Sequence, residues 1–510
     1  MAVAVIREPG PSTHAAPHPT LGMGRQDRPV STLDHSGPVV SLRYGSSRFP
    51  VTHYIGAMSI GTEYDQAVAS ASAQLASTQG HVRLSKPTSN LFRSRRPATN
   101  ELDLSAFNRV FDVDAEARVA RVGGLTTYED LVAATLPHGL VPLCVPQLRT
   151  ITLGGAVTGL GIEAASFRNG TPHESVLAMD VLTGSGEVIR ATPDGEDSDL
   201  FFGFPNSYGS LGYALELDIE LEPVRSYVAL RHIRFGSAVD IAAAFSQITR
   251  DRAWEGIPVD YMDATVFAPD EMYLTLGAYS DIGTASNYTG QQIYYRSIRQ
   301  RSTDTLTTLD YLWRWDTDWF WCSQAMGVQN PVVRRLWPDR YKRSDVYWKI
   351  IAADRRWGLS SRLDRMRKRP PKENVVQDVE VPVDALPEFL DFFDREVGIS
   401  PVWLCPLHQR DPQRVWTLYE FDPGTTYVNV GFWSRVELRP GEDPEAGRVN
   451  RRIEQKVAEL DGRKSLYSTA FYDRDEFYAI YGGDAYAGLK KRYDADGRFP
   501  DLYEKTCEGT

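Results

Sequence analysis

The sequence predicts an α+β fold built from more than one domain. Three observations carry this. Residues 176–192 hold two apolar alternating runs, VLAMDVLT and EVIRAT, joined at Gly184-Ser185-Gly186, the pattern of a β-hairpin. Residues 215–223, LELDIELEP, alternate strictly and mark a half-buried strand. Residues 224–290 then mix strands with a helical stretch at 239–252, which gives a second α+β unit.

At 510 residues the chain is long enough for two or three domains with well-buried cores. A hydrophobic content of 42% is ordinary for a soluble protein. No stretch approaches the roughly 18 uninterrupted apolar residues of a membrane span. The net charge of −11 argues against general nucleic-acid binding. Cys144, Cys322, Cys405 and Cys507 lie far apart without a C-x-x-C pair, so neither a metal site nor a disulfide framework is expected, and a reducing cytosol fits. The 46 Arg against 10 Lys suggest a GC-rich bacterial coding sequence.

Taken in order, residues 1–45 are rich in Pro, Gly, Ser and His without periodicity and read as a disordered tail. A first domain spans 46–223. Its helix at 62–76 carries Tyr64, Ala67, Val68, Ala71 and Leu75 at helical spacing. A short strand at 81–84 leads into Ser85-Lys86-Pro87-Thr88-Ser89-Asn90-Leu91-Phe92-Arg93, whose hydroxyls, amide and basic groups are donors for an anion or, equally, a basic surface turn. Residues 102–114 and 117–122 form two strands around a turn, and 127–136 a helix capped by Thr126 or Thr127.

The second domain, 224–435, contains an unusual segment at 311–372. Residues 311–321 hold Trp313, Trp315, Trp319, Phe320 and Trp321, and residues 331–372 carry 14 Lys or Arg against 4 Asp, a balance of +10. Such a segment fits docking on an anionic membrane, and equally a cap whose Trp residues are core and whose Arg residues pair with acidic groups. Strands follow at 375–383, 403–407 and 426–433, with a helix at 387–396 between them, and alternation makes Gln377, Cys405 and Asn429 candidates to face a cavity. The C-terminal segment, 436–510, is helical at 451–460 and 474–491 and returns to the first domain.

The most informative stretch is 146–163, with Gly154, Gly155, Gly159 and Gly161. Glycines let backbone amides approach a phosphate where a side chain would collide, which suits a nucleotide. Residues 159–164 also fit the dinucleotide fingerprint G-x-G-x-x-A, with Asp180 at the ribose-ligand spacing. That fingerprint needs a buried strand before it and a helix after it, whereas here ITLGGAV precedes and a hairpin follows, which argues against a Rossmann domain.

The order of these motifs carries a resemblance. It runs P-x-L, T-x-G-G-x-x-x-G-x-G-I-E, then DSDLF at 197–201, P-x-S-x-G-x-L-G at 205–212, VVQDVEVPVDAL at 375–386, SPVWLCPL at 400–407 and LYSTAFYDRDEFYAIYGG near the end. From about residue 80 onward the chain resembles the vanillyl-alcohol-oxidase (PCMH-type) flavoproteins, and within them the 24-dehydrocholesterol reductase (Diminuto) branch. The resemblance implies a two-subdomain PCMH-type FAD-binding domain with an α+β substrate, or cap, domain over the flavin. The cofactor contacts it implies are Lys86, Pro87, Thr88, Ser89, Asn90 and Leu91 from the first loop, and Pro146, Thr152, Gly154, Gly155, Ala156, Thr158, Gly159, Gly161, Ile162 and Glu163 from the glycine stretch. Gly209, Gly212 and Tyr213 complete the set. Covalent members attach the flavin through a His in the first loop or a later Cys; residues 84–93 contain no His, so FAD is expected to be noncovalent, with His81 the nearest exception.

The branch reduces isolated carbon–carbon double bonds, and its bacterial relatives include enzymes that convert a 10-methylene fatty acyl chain to the 10-methyl form, as in tuberculostearate synthesis. The resemblance therefore implies a lipid substrate on a phospholipid, NAD(P)H as transient reductant, and a cytoplasmic enzyme peripheral to the inner face of the membrane. The methyltransferase that supplies the methylene lipid is a candidate partner. An unactivated alkene needs a proton donor, and an apolar pocket raises a carboxyl pKa into the useful range. Glu163 and Asp378 are the candidate acids, with Tyr467 and Tyr472 as phenolic alternatives; Glu163 equally suits a ribose or backbone ligand. A Δ24-sterol reductase, a sugar or alcohol oxidase, and a lipid-binding protein without flavin are the competing readings.

Overall fold

The computed structural model describes residues 53–86, 92–93, 100–357, 362, 366–367 and 369–508. The tail at 1–45 and the loop residues Pro87, Thr88, Ser89, Asn90 and Leu91 lie outside them.

The expected first helix runs His53–Ser77. Ala71 and Leu75 bury against Val82, Leu102 and Phe107, and the Tyr64 hydroxyl donates to Asp180 at 2.6 Å. Strand β1 (Arg83–Ser85) pairs in parallel with β2 (Glu101–Asp103). The single strand expected at 102–114 is divided into β2, a turn at Ser105–Phe107 and β3 (Val110–Asp114). Asp103 causes the break, because its carboxylate accepts from the Ser105 N–H at 2.9 Å, a side-chain mimic of a backbone turn.

Strands β4 (Val119–Gly123), β5 (Leu140–Pro142), β6 (Val176–Leu182), β7 (Val188–Ala191) and β8 (Tyr213–Pro223) join β3 in a six-stranded sheet of order β3-β4-β8-β6-β7, with β5 on β8. The expected hairpin is β6-β7, paired Met179↔Ala191 through Leu182↔Val188. The glycine stretch forms a helix, Leu153–Gly159, capped by Thr152 accepting from the Gly155 N–H. This is neither a Rossmann strand nor its turn.

The second sheet has eight strands. They are β9 (Tyr227–Phe235), β12 (Tyr261–Ala268), β13 (Glu271–Ser280), β14 (Thr303–Thr307), β15 (Lys372–Pro382), β16 (Val402–His408), β17 (Thr426–Glu437) and β18 (Arg463–Lys464). Their order is β14-β9-β13-β12-β16-β17-β15-β18, and β10 (Ala253–Trp254) with β11 (Ile257–Pro258) makes a small separate pair. One face packs Val379, Val381, Leu404 and Val430 under the helices Ala238–Asp251, Leu386–Glu396 and Arg448–Glu459. The other face carries Trp403 and Cys405 into a core shared with the first sheet's helices and the Trp-rich segment.

That segment is buried. Trp313, Trp315, Trp319, Phe320 and Trp321 are all below 8% exposed, at 2%, 1%, 6%, 6% and 7%. These five rings therefore do not meet a membrane; they are core, and Arg334 pairs with buried Asp318 at 2.7 Å while Arg343 pairs with Glu129 at 2.8 Å.

The C-terminal segment serves both sheets. β18 extends the second sheet beside β15. The helical stretch expected at 474–491 is divided at Gly482 and Gly483, whose positive φ leaves the helical region; Gly482 must lack a side chain, since a Cβ there would meet Leu418 at 2.4 Å. The helices beyond return to the glycine region, where Lys490 donates to the Ser210 carbonyl at 2.8 Å and Lys505 to the Gly209 carbonyl at 2.6 Å.

Candidate active site

A cavity of about 530 Å³ opens between the two sheets, within the range of small-molecule sites. Its wall has three parts. Lys86, with Arg83, Leu84 and Glu101, comes from the β1–β2 region. Pro146, Thr152, Gly154, Gly155, Ala156, Thr158, Gly159, Gly161 and Ile162 form the glycine wall, flanked by Tyr208, Gly209, Tyr213 and Lys505. Phe92, Trp319, Phe320, Trp403 and Trp433 form an aromatic wall that also carries Asp378, Ser465 and Tyr467.

The glycines are needed for a reason that differs from the expectation. A Cβ on Gly154 would lie 2.7 Å from the Gly124 carbonyl oxygen, one on Gly161 2.9 Å from Pro172, and one on Gly159 3.2 Å from the Tyr208 ring. The protein's own backbone and side chains fill that space, so the glycines let the helix sit tightly on the first sheet. What remains for an anion is donors. Lys86 Nζ lies 2.9 Å from Thr152 Oγ1. The N–H groups of Leu160, Gly161 and Ile162, all on the wall, have no protein acceptor among the described residues.

Two predicted cofactor contacts are displaced. Glu163 is 2% exposed and does not line the cavity. It turns back on its own loop, accepting from the Ala165 N–H at 2.7 Å; burial pushes its pKa up to about 7 against the opposing charge of Arg314. Its carboxyl group therefore faces its own loop and not the cavity. Gly212, at φ +146, abuts the Leu182 carbonyl instead, where a Cβ would come within 2.5 Å.

Among the candidate acids the pleat of β15 decides. Asp378 faces the cavity, so its neighbour Gln377 faces away and donates to Asn450 Oδ1 at 2.7 Å beneath the helices. Cys405 and Asn429 are cross-strand partners on the cavity side, but both are fully buried behind the wall. Tyr472 is buried among Phe477 and Tyr481 and does not reach the cavity.

Asp378 and Tyr467 remain. The Tyr467 hydroxyl accepts from Trp433 Nε1 at 2.9 Å. Burial pushes the Asp378 pKa up to about 7, only partly opposed by the Asn429 amide and the Tyr467 hydroxyl. Its Oδ1 has no hydrogen-bond partner among the described residues, and it lies over Gly431, where a Cβ would come within 2.3 Å. Tyr467 is pushed well above the usual phenol range by burial and by the Asp378 charge. Two residues along the same face, Glu380 is raised to about 8 by burial, and accepts from Tyr419 and, at 3.1 Å, from Ser465 Oγ.

Sequence reasoning missed Trp403, Trp433, Tyr208, Ser465, Lys505 and Glu380. Gly431 in the middle of a strand was the available signal, since such a glycine marks a close approach. Period-two alternation from Asp378 would have found Glu380.

These residues fit FAD. Lys86, Thr152 and the three N–H groups suit a diphosphate, the aromatic wall suits a flat ring, and no His or Cys lines the cavity among the described residues. A family model described as an FAD binding domain matches residues 65–192, which include Lys86 and the glycine helix. The chain therefore carries a PCMH-type FAD-binding domain in an α+β fold, and that domain defines its class, an FAD-dependent oxidoreductase. Among individual proteins it is similar to the Delta(24)-sterol reductase of Mus musculus, at 25% identity over 413 residues, 78% of this chain and 76% of that protein. It is similar to the Delta(24)-sterol reductase of Arabidopsis thaliana at 25% over 449 residues, 80% and 77% of the two chains. A shorter likeness, 35% over 126 residues, links 24% of this chain to 27% of the decaprenylphosphoryl-beta-D-ribose oxidase of Mycolicibacterium smegmatis. No helix among the described residues is long and apolar enough to cross a membrane.

Proposed function

We propose that the protein is an FAD-dependent reductase of an isolated carbon–carbon double bond in a lipid, using NAD(P)H. The substrate we favour is the 10-methylene group of a phospholipid-borne acyl chain. One observation carries the proposal: a carboxyl group with a pKa near neutrality, Asp378, sits on a wall dominated by Phe92, Trp319, Phe320, Trp403 and Trp433, with Ser465 and Tyr467 as its other polar members. An unactivated alkene has no carbonyl to polarise, so its reduction needs a positioned proton donor that still carries its proton near neutral pH, which a dry, apolar site provides by raising a carboxyl pKa.

Bound FAD would supply the hydride chemistry. Lys86, Thr152 and the N–H groups of residues 160–162 would hold its diphosphate. The aromatic wall orients an apolar chain and excludes water. Asp378 keeps its proton in a substantial share of molecules at neutral pH, and Tyr467, positioned by Trp433, stands on the same wall. Glu380, itself held neutral by burial, withholds a second negative charge from Asp378, and Ser465 links it to the wall.

Likeness to the sterol reductases over three quarters of both chains supports reduction rather than oxidation, and leaves a Δ24-sterol as the second reading. The two separate in one experiment. The purified protein is reduced anaerobically with NADPH, and each alkene is offered in turn while the visible flavin band is followed. Reoxidation by the methylene lipid supports the proposal, and reoxidation by the sterol alone replaces it. Reduction by a sugar or alcohol, with no response to either alkene, would make the protein an oxidase or dehydrogenase.

A further inference from the structure

The basic segment that encloses the aromatic wall has a second, outward side. On its inner side the helix Ser344–Trp357 places Trp348 against Phe92 and Trp319, at ring-centroid distances of 5.4 and 6.4 Å, and both of those residues line the cavity. On its outer side Ile350 and Trp357, two turns apart on one row, are 36% and 60% exposed. The preceding helix, Pro331–Leu336, meets this one through Trp337 and Tyr347 and exposes Val332 and Leu336 at 68% and 78%. Arg335, Arg340 and Lys349 are exposed beside these apolar residues. Among the described residues Lys349 makes an open 3.5 Å pair with Asp345. Large apolar side chains standing free among cations are an interaction surface rather than a solvated face.

We propose that the outer faces of these two helices dock the enzyme on an anionic lipid bilayer. Charge chooses the occupant. Residues 331–372 carry +10 in sequence on a chain of −11. Arg334 and Arg343 are taken up by Asp318 and Glu129, while Arg335, Arg340, Lys349, Arg362 and Arg367 stand exposed, so an anionic headgroup layer is attracted to this face of an otherwise acidic chain. Apolar residues flanked by basic ones are the pattern of a helix lying in the headgroup boundary. Docking there would bring the bilayer within one aromatic layer, Trp348, of the cavity that receives the acyl chain. In that purpose the inference rests on the lipid-substrate reading; the surface itself rests on exposure and charge.

The test is flotation of the full-length, FAD-loaded protein with vesicles of phosphatidylcholine alone or with phosphatidylglycerol added. We expect it to float with the anionic vesicles at low salt and to lose about tenfold of that binding at high salt, where surface charge is screened. The triple substitution Leu336→Asp, Ile350→Asp, Trp357→Asp should float about tenfold less, since it removes apolar insertion and repels the headgroups. An unchanged flavin spectrum and thermal midpoint establish that it is folded. The milder pair Arg335→Gln, Lys349→Gln should weaken binding to the anionic vesicles only. Absence of flotation, equal flotation of wild type and triple variant, or equal binding to neutral and anionic vesicles overturns the proposal. So does a triple variant that changes only the solution mass, which would assign the surface to a second copy. Vesicle binding without alkene-driven reoxidation would instead sink the proposed reaction and leave the docking surface standing.

Discussion

Asp378 and Gln377 are adjacent on one strand, and the pleat sends one carboxyl group to the cavity and the neighbouring amide into a core. That geometry makes Asp378 the residue to replace. We expect Asp378→Asn to retain FAD and its reduction by NADPH but to slow alkene-driven reoxidation by at least about 100-fold, the scale of a lost general acid. Glu163→Gln, which alters a group behind the wall, should leave that rate unchanged. With the Asp378 pKa at about 7, the reoxidation rate should be flat at lower pH and fall as pH rises through that value. Stability follows the same group. A folded-state pKa raised above the unfolded one gives stability that is complete below the ordinary Asp value and lost as pH rises through about 7. The thermal midpoint of the wild type should therefore drop between mildly acid and mildly alkaline buffer by more than that of Asp378→Asn, in paired melting curves.

The elements that hold the site are short, and their tolerances are small. The glycine helix Leu153–Gly159 rests on the first sheet through Gly154 and Gly124, where a Cβ would come within 2.7 and 2.0 Å of backbone oxygens. Gly154→Ala should cost about 1–3 kcal/mol, the price of overpacking, and weaken FAD binding as the helix lifts. Chemical denaturation and a flavin titration of the apoprotein measure the two effects. Thr152→Ala should cost about 1 kcal/mol through the lost N-cap. It also deprives Lys86 of the hydroxyl 2.9 Å away, so its affinity for FAD should fall further than its stability loss accounts for.

Across the whole molecule a buried ion pair ties the aromatic wall to the second sheet. Arg314 pairs with Asp263 at 2.8 Å, with both side chains under 3% exposed. The same carboxylate accepts from Trp315 Nε1 at 3.0 Å and Trp403 Nε1 at 3.3 Å. Asp263→Ala should cost about 3–5 kcal/mol, because it strands a buried guanidinium. It should also loosen the wall, visible as faster quenching of tryptophan fluorescence. Flavin couples to the same scale: removing FAD should lower the thermal midpoint, and restoring it at 100 times its Kd should return about 2.7 kcal/mol.

Local pattern was enough to determine most of this protein. Alternation located the β6-β7 hairpin and the strands β8, β15, β16 and β17, and the glycines of 146–163 with Lys86 marked a wall of the cavity, because these signals reside in neighbouring residues. The aromatic run at 311–321 was ambiguous for the opposite reason. Whether a row of Trp faces lipid or core depends on what packs against it, and Asp263, Asp318 and Trp433 come from distant parts of the chain. Tertiary structure alone brought Asp378 beside Tyr467 and put Glu163, similar in sequence promise, behind the wall, since the environment that sets a carboxyl pKa is assembled from both sheets.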